Sequence, residues 1–175
     1  MLRHTIALLL LASPVVAQEG VLNPQEMSME GMIDRMRHGD SHPMMGMVGY
    51  GAAKAGLHEE AREIFEKITG EGNVQGITWL SWMEDNGLSG RENPDRAAEL
   101  DRRAAEAGSA VGMFNYGLDL MRGRGVVEDQ AAGRAMIDRA AAAGDRSAQH
   151  LIEQGYDIEA VTPDADNWKY EKRLF

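Results

Sequence analysis

Gly123-Arg124-Gly125-Val126-Val127-Glu128-Asp129 joins two stretches that both carry a helical period. Before it, Val111 to Met121 sets Met113, Phe114, Tyr116-Gly117 and Leu120-Met121 at helical spacing. Gly123-Arg124-Gly125 reads as a turn, because glycine takes the backbone angles of a tight reversal at little steric cost. After it, Asp129 is placed to cap a second helix running to Ala143, and Gly144 is placed to stop that helix. The stretch therefore predicts a pair of antiparallel helices joined by a short turn.

The same signals recur along the chain. Gly72, Gly108 and Gly144 stand 36 residues apart, and so do Gly51, Gly87 and Gly123. Lys67, Arg103 and Arg139 share that period, as do Ile64, Leu100 and Met136. Ala104-Ala105 lines up with Ala140-Ala141. Several features in one register define a repeat, and a period of this length belongs to stacked helical units. In the preceding unit, Ile77 to Asp85 and a helix starting at Pro94 and running to Ala107 form the same pair. Alanine-rich faces let the helices approach closely, as a stacked array requires. No segment alternates as a strand does. The expected fold is all-α, a short right-handed α-solenoid of paired antiparallel helices.

The run Gly123 to Asp129, with Met136, Arg139-Ala140-Ala141 and Gly144-Asp145, resembles the Sel-one-like repeat, a relative of the tetratricopeptide repeat. Met136 stands where that family often has Trp, and Gly133 where it has Ala. The preceding unit keeps Gly87, Ala97, Leu100, Arg103-Ala104-Ala105 and Gly108, with Ser89-Gly90 in place of Gly-Val. The first unit, with Gly49, Ala52, Gly56, Ala61 and Phe65, is closer to a plain tetratricopeptide pattern. Ala148, Ile152 and Tyr156 fit the first helix of an incomplete fourth unit. The resemblance covers roughly Gly39 to Tyr156 and implies a scaffold for protein complexes, with no shared active site.

The ends of the chain differ in kind from this array. Residues 1–17 read as a secretory signal peptide: a basic start at Arg3, an apolar run from Thr5, and small residues before Gln18. The apolar stretch of 13 residues is shorter than the ~20 a membrane span needs. Cleavage near Ala17 and a periplasmic location are expected. Residues 18–38 form a methionine-rich cap segment, 39–156 the repeat domain and 157–175 a tail or cap. The net charge of −10 becomes more negative once Arg3 is removed. Such a surface disfavours nucleic acid and anionic membrane as partners. With no cysteine, the exported chain holds together by packing alone.

Met27, Met29, Met32, Met36, His38, His42, Met44, Met45 and Met47 crowd one short region. Thioether and imidazole suit Cu(I), so copper handling is the alternative reading of this segment. Met29, Met32 and Met36 also have the spacing of a buried helical stripe, which favours packing and no cofactor. His38, His42 and His58 match no zinc spacing. The serine-hydrolase, zinc-protease and phosphate-loop signatures are missing, and no pair of carboxylates stands out, so binding is expected rather than catalysis. Trp79 and Trp82 share one face of a first helix. Trp82, Asn115 and Tyr116 are the candidate contacts for a partner protein or peptide on a concave face. In the tail, a polar break at Thr162 to Asp166 precedes Trp168-Lys169-Tyr170-Glu171-Lys172-Arg173-Leu174-Phe175, read as an end cap or a docking peptide.

Overall fold

Helix ends leave backbone groups without partners, and this chain solves that problem the same way at three successive unit junctions. The computed structural model describes residues 28–39 and 44–161. Asn73, Ser109 and Asp145 cap helices by accepting from the N–H of Gln75, Gly112 and Ala148, at 3.0, 3.1 and 2.8 Å. Each follows a glycine with φ of +87°, +89° or +95°. Each also donates its own N–H to the carbonyl five residues back, on Ile68, Ala104 or Ala140, at 2.9–3.0 Å. One closing motif, repeated in register, thus ends one unit and starts the next. A second set of caps starts the return helices. Asn93 and Asp129 accept from Arg96 and Ala132 at 3.1 and 2.9 Å, with Pro94 at the first helical position.

Eight α-helices result among the described residues: α1 (Met29–Arg37), α2 (Met45–Lys54), α3 (His58–Gly70), α4 (Val74–Asn86), α5 (Pro94–Glu106), α6 (Ala110–Arg122), α7 (Gln130–Ala142) and α8 (Arg146–Glu153). A short 3₁₀ turn, Ile158–Ala160, follows. Helices α2/α3, α4/α5 and α6/α7 pair, α8 begins a further unit, and α1 packs on α2 and α3. Almost every contact joins consecutive helices, which is the nearest-neighbour order of a solenoid. No helix among the described residues is long and apolar enough to cross a membrane.

Gly51 departs from its place in the 36-residue ladder. Gly87 and Gly123 end α4 and α6 in the left-handed conformation, at φ +64° and +62°. Gly51 lies inside α2, which runs on to Lys54, and the turn falls instead at Gly56 with φ +83°. A side-chain Cβ on Gly51 would meet the Met29 methyl group at 3.1 Å, so its smallness admits α1 rather than turning the chain.

The core has two parts. Ile33, Met36, Met45, Ile64, Phe65, Met83 and Leu100 anchor the first, across α1–α5. Phe114, Leu118, Met121, Ile137 and Leu151 anchor the second, across α6–α8. Small residues bring the helices together. Ala104 and Ala140 are fully buried. Gly117 and Gly133 face each other where α6 crosses α7. A Cβ on Gly133 would lie 2.8 Å from the Gly117 carbonyl and 2.5 Å from Met121 Cγ. Gly133→Val should therefore overpack this crossing and lower stability by about 1–3 kcal/mol. Gly90→Ala, where a Cβ meets nothing within 4 Å, should leave it unchanged. Urea melts of the two variants check this; equal midpoints contradict the close crossing.

Candidate functional site

A groove of about 720 Å³ opens between the first helices of the second and third units, α4 and α6. Its position follows from the repeat. Paired helices pack their apolar faces inward, so the first helices of successive units are left side by side. Trp79, Trp82, Val111 and Asn86 line its walls. Its floor is polar: Ser81, Asp85, Asp101, Asn115 and Asp119 reach it, with Arg122 and Arg124 at one end.

The floor is a hydrogen-bonded network. Ser81 Oγ donates to Asp101 Oδ2 at 2.5 Å, and Asn115 Nδ2 donates to Asp101 Oδ1 at 3.2 Å. Asp101 is 5% exposed. Burial pushes its carboxyl up to about 7, against the two hydrogen bonds that favour the ionised form. Asp119 is pushed up to about 8, first by burial and then by the charges of Asp101 and Asp85. Its Oδ2 is buried without a hydrogen-bond partner among the described residues. Arg124 donates from Nε to Asp85 Oδ1 at 2.7 Å and pins the turn after α6 to the end of α4. The geometry sets buried polar groups below an aromatic wall.

Above the floor, Trp79 and Trp82 meet edge to face, with centroids 5.9 Å apart. Tyr50 joins both, at 4.8 and 6.0 Å. Trp79 also stacks on Phe65 at 5.6 Å, so it is at once core and groove wall. Both indole N–H groups are buried and unpartnered among the described residues.

Of the three contacts expected from sequence, Trp82 and Asn115 line the groove. Tyr116 does not: its ring packs against the second core cluster. The reason is helical rotation, since Val111, Asn115, Asp119 and Arg122 share one face of α6 and position 116 lies about 100° around from it. Ser81, Asp85, Asp101 and Asp119 escaped the sequence reading. A signal existed in the polar pairs Ser81/Asp85 and Asn115/Asp119, each four apart on a largely apolar helix.

The methionine-rich segment is divided by the fold. Met36 and Met45 are buried in the first core, and Met29 packs against it. Met44 and Met47 are exposed, 48% and 67%, and His38 is exposed with Nδ1 against the Asp34 carbonyl at 2.8 Å. Met32 is half-buried on α1. Met27 and His42 lie outside the described residues, as do the signal segment 1–17 and the tail from Thr162 onward. Among the described residues no three His or carboxylate groups form a metal-binding cluster.

Comparison with known proteins yields no matching family model and no matching curated protein. Solved structures do match. A Sel1 repeat protein from Oxalobacter formigenes aligns at 20% identity with a TM-score of 0.56, over 75% of this chain and 99% of that one. Helicobacter pylori cysteine rich protein B aligns at 18% identity and TM-score 0.51, over 53% of this chain and 70% of that one. A protective antigen with an SLR fold, c5321 of uropathogenic Escherichia coli, aligns at 25% identity and TM-score 0.52. That alignment spans 67% of this chain but only 28% of the antigen. With the 36-residue motif ladder, the capped helix pairs and these neighbours together, the chain has the fold of a Sel1-like repeat protein.

Proposed function

We propose that this protein is a binding adaptor of the bacterial periplasm, holding a segment of a partner protein in the groove between α4 and α6. The observation that carries this reading is the groove itself. It is an open cleft whose aromatic wall and half-exposed Val111 stand over buried polar groups, one of them a carboxyl oxygen of Asp119 without a partner among the described residues. Aromatic side chains at the centre of a concave face are the usual anchors of a binding surface. The Sel1-like fold supports an interaction role, and the N-terminal leader supports export. Copper is not part of the proposal; among the described residues Met36 and Met45 are buried in the core while Met44 and Met47 are exposed.

Affinity capture from an envelope extract tests it. Val111→Arg adds a long cation at a position 50% exposed within the groove, so it should abolish capture without unfolding the chain. Val127→Arg, at a position 89% exposed and away from the groove, should leave capture intact. Capture that survives Val111→Arg, or that fails with both, overturns the placement.

A further inference from the structure

We propose that the groove between α4 and α6 has an occupant within this same chain: the basic and aromatic segment Trp168–Arg173 of the tail. The proposal rests on the reading of this groove as the binding face and names what fills it when no partner is bound.

Three observations converge on it. The first is where the described chain leaves the fold. Arg122, which lines the groove, donates from Nη2 to the Ile158 carbonyl at 3.3 Å, so the last 3₁₀ turn is fastened to the groove's end. Val161 then packs with Tyr156 and Ile158 on the second core cluster.

The second is reach. Residues 162–175 remain beyond that point. At roughly 3.3 Å per extended residue they span about 46 Å. The 13-residue helix α6 is about 20 Å long at 1.5 Å per residue, so the segment can run the full groove.

The third is complementarity. The groove floor carries Asp85, which Arg124 already pairs, with Asp101 and Asp119, and Arg122 and Arg124 stand at one end; Asp119 Oδ2 is buried without a partner among the described residues. The segment after Asp166 carries Lys169, Lys172 and Arg173 against the single acid Glu171, in a chain whose net charge is otherwise strongly negative. Trp168 and Tyr170 alternate with Lys169 and Glu171. In an extended strand, alternate side chains face one side, so the aromatics can lie on the Trp79/Trp82 wall. Burial holds protons on Asp101 and Asp119 near neutral pH, and a lysine or arginine donor brought against Asp119 Oδ2 would favour its ionised form. A partner that enters the groove must then displace the tail, which makes binding competitive with a tethered ligand at high effective concentration.

The chain has no cysteine, so a single nitroxide label can be placed by Phe175→Cys in the otherwise complete protein. The expected result is loss of NMR intensity at the Trp82 indole, the Asn86 and Asn115 side-chain amides and the Asp119 backbone N–H. Ascorbate reduction of the label should restore those signals. The loss should persist on dilution and with excess unlabelled protein, and it should vanish when Lys169, Lys172 and Arg173 are all changed to alanine. Circular dichroism of that triple variant checks that the helices remain. Broadening confined to the outer surface of α7 and α8, or no broadening, overturns the proposal. Broadening that dilution removes shows docking between copies and overturns it as well. Failure here leaves the Val111→Arg capture result standing, so the two readings are separable.

Discussion

Phe65→Ala is expected to cost about 3–5 kcal/mol, the range for emptying a fully buried aromatic site. Phe65 has no exposed surface, and its ring fills a space prepared for it on two sides. Gly49 of α2 lies so close that a Cβ there would sit 2.5 Å from the ring, and Trp79 of α4 stacks on it at 5.6 Å with planes 10° apart. Removing the ring leaves α2, α3 and α4 without their common wedge, and backbone this closely packed collapses little into the gap. Because the core divides into two clusters, the damage should be local. Amide hydrogen exchange should accelerate strongly in α2–α4 and little in α6 and α7. Uniform acceleration over all helices would show that the array unfolds as one unit. The groove should lose its aromatic wall at the same time, since Trp79 is shared between core and groove.

Stability should rise as pH falls from about 8 to about 5, the reverse of the usual carboxylate effect. The sign follows from the two raised carboxyls. Asp101 titrates near 7 and Asp119 near 8 in the folded chain, against about 3.9 for an unfolded aspartate. Across that window the folded chain holds protons that the unfolded chain has released. Their contribution is therefore complete at low pH and is lost as pH rises through 7 and 8. One unit of displacement in one carboxyl corresponds to about 1.4 kcal/mol, so the two together make this a large effect across the window. Glu63 and Glu99 act oppositely: hydrogen bonds from Arg37 and Arg102 lower them, so their contribution is lost only in more acidic solution. Changing both Asp101 and Asp119 to asparagine should flatten the profile between pH 5 and 8, because the amide keeps the shape and gives up the titration. Thermal melts across that range test this. Melting temperatures that climb toward pH 8 in the native chain, or a slope that survives both substitutions, contradict it.

The two effects meet in the groove, and they show where sequence reading succeeds and where it stops. The helix pairs were legible because their signals are local and repeated: Gly108 followed by Ser109, Gly144 followed by Asp145, Pro94 at a helix start. Each acts within a few residues, and a fixed period multiplies the signal. Gly51 misled because identity at a ladder position does not reveal what lies across from it, here the methyl group of Met29. Tyr116 lies off the groove because one step along a helix rotates a side chain by about 100°, here against the second core cluster. Asp101 was invisible for a deeper reason. It sits among Ala97, Ala98, Leu100, Ala104 and Ala105 on α5, and only its tertiary partners, Ser81 and Asn115, distinguish it from a solvated acid. Packing between units, not pattern within one, creates that network.

The central claim is that the face formed by α4 and α6 holds the partner. The most direct test places a photo-crosslinking residue at position 111 or at position 127 and irradiates living cells that produce the protein. Val111 faces the groove and Val127 is exposed elsewhere, so crosslinks to one defined partner are predicted from position 111 and none from 127. Crosslinks from position 127 with none from 111 would contradict the account.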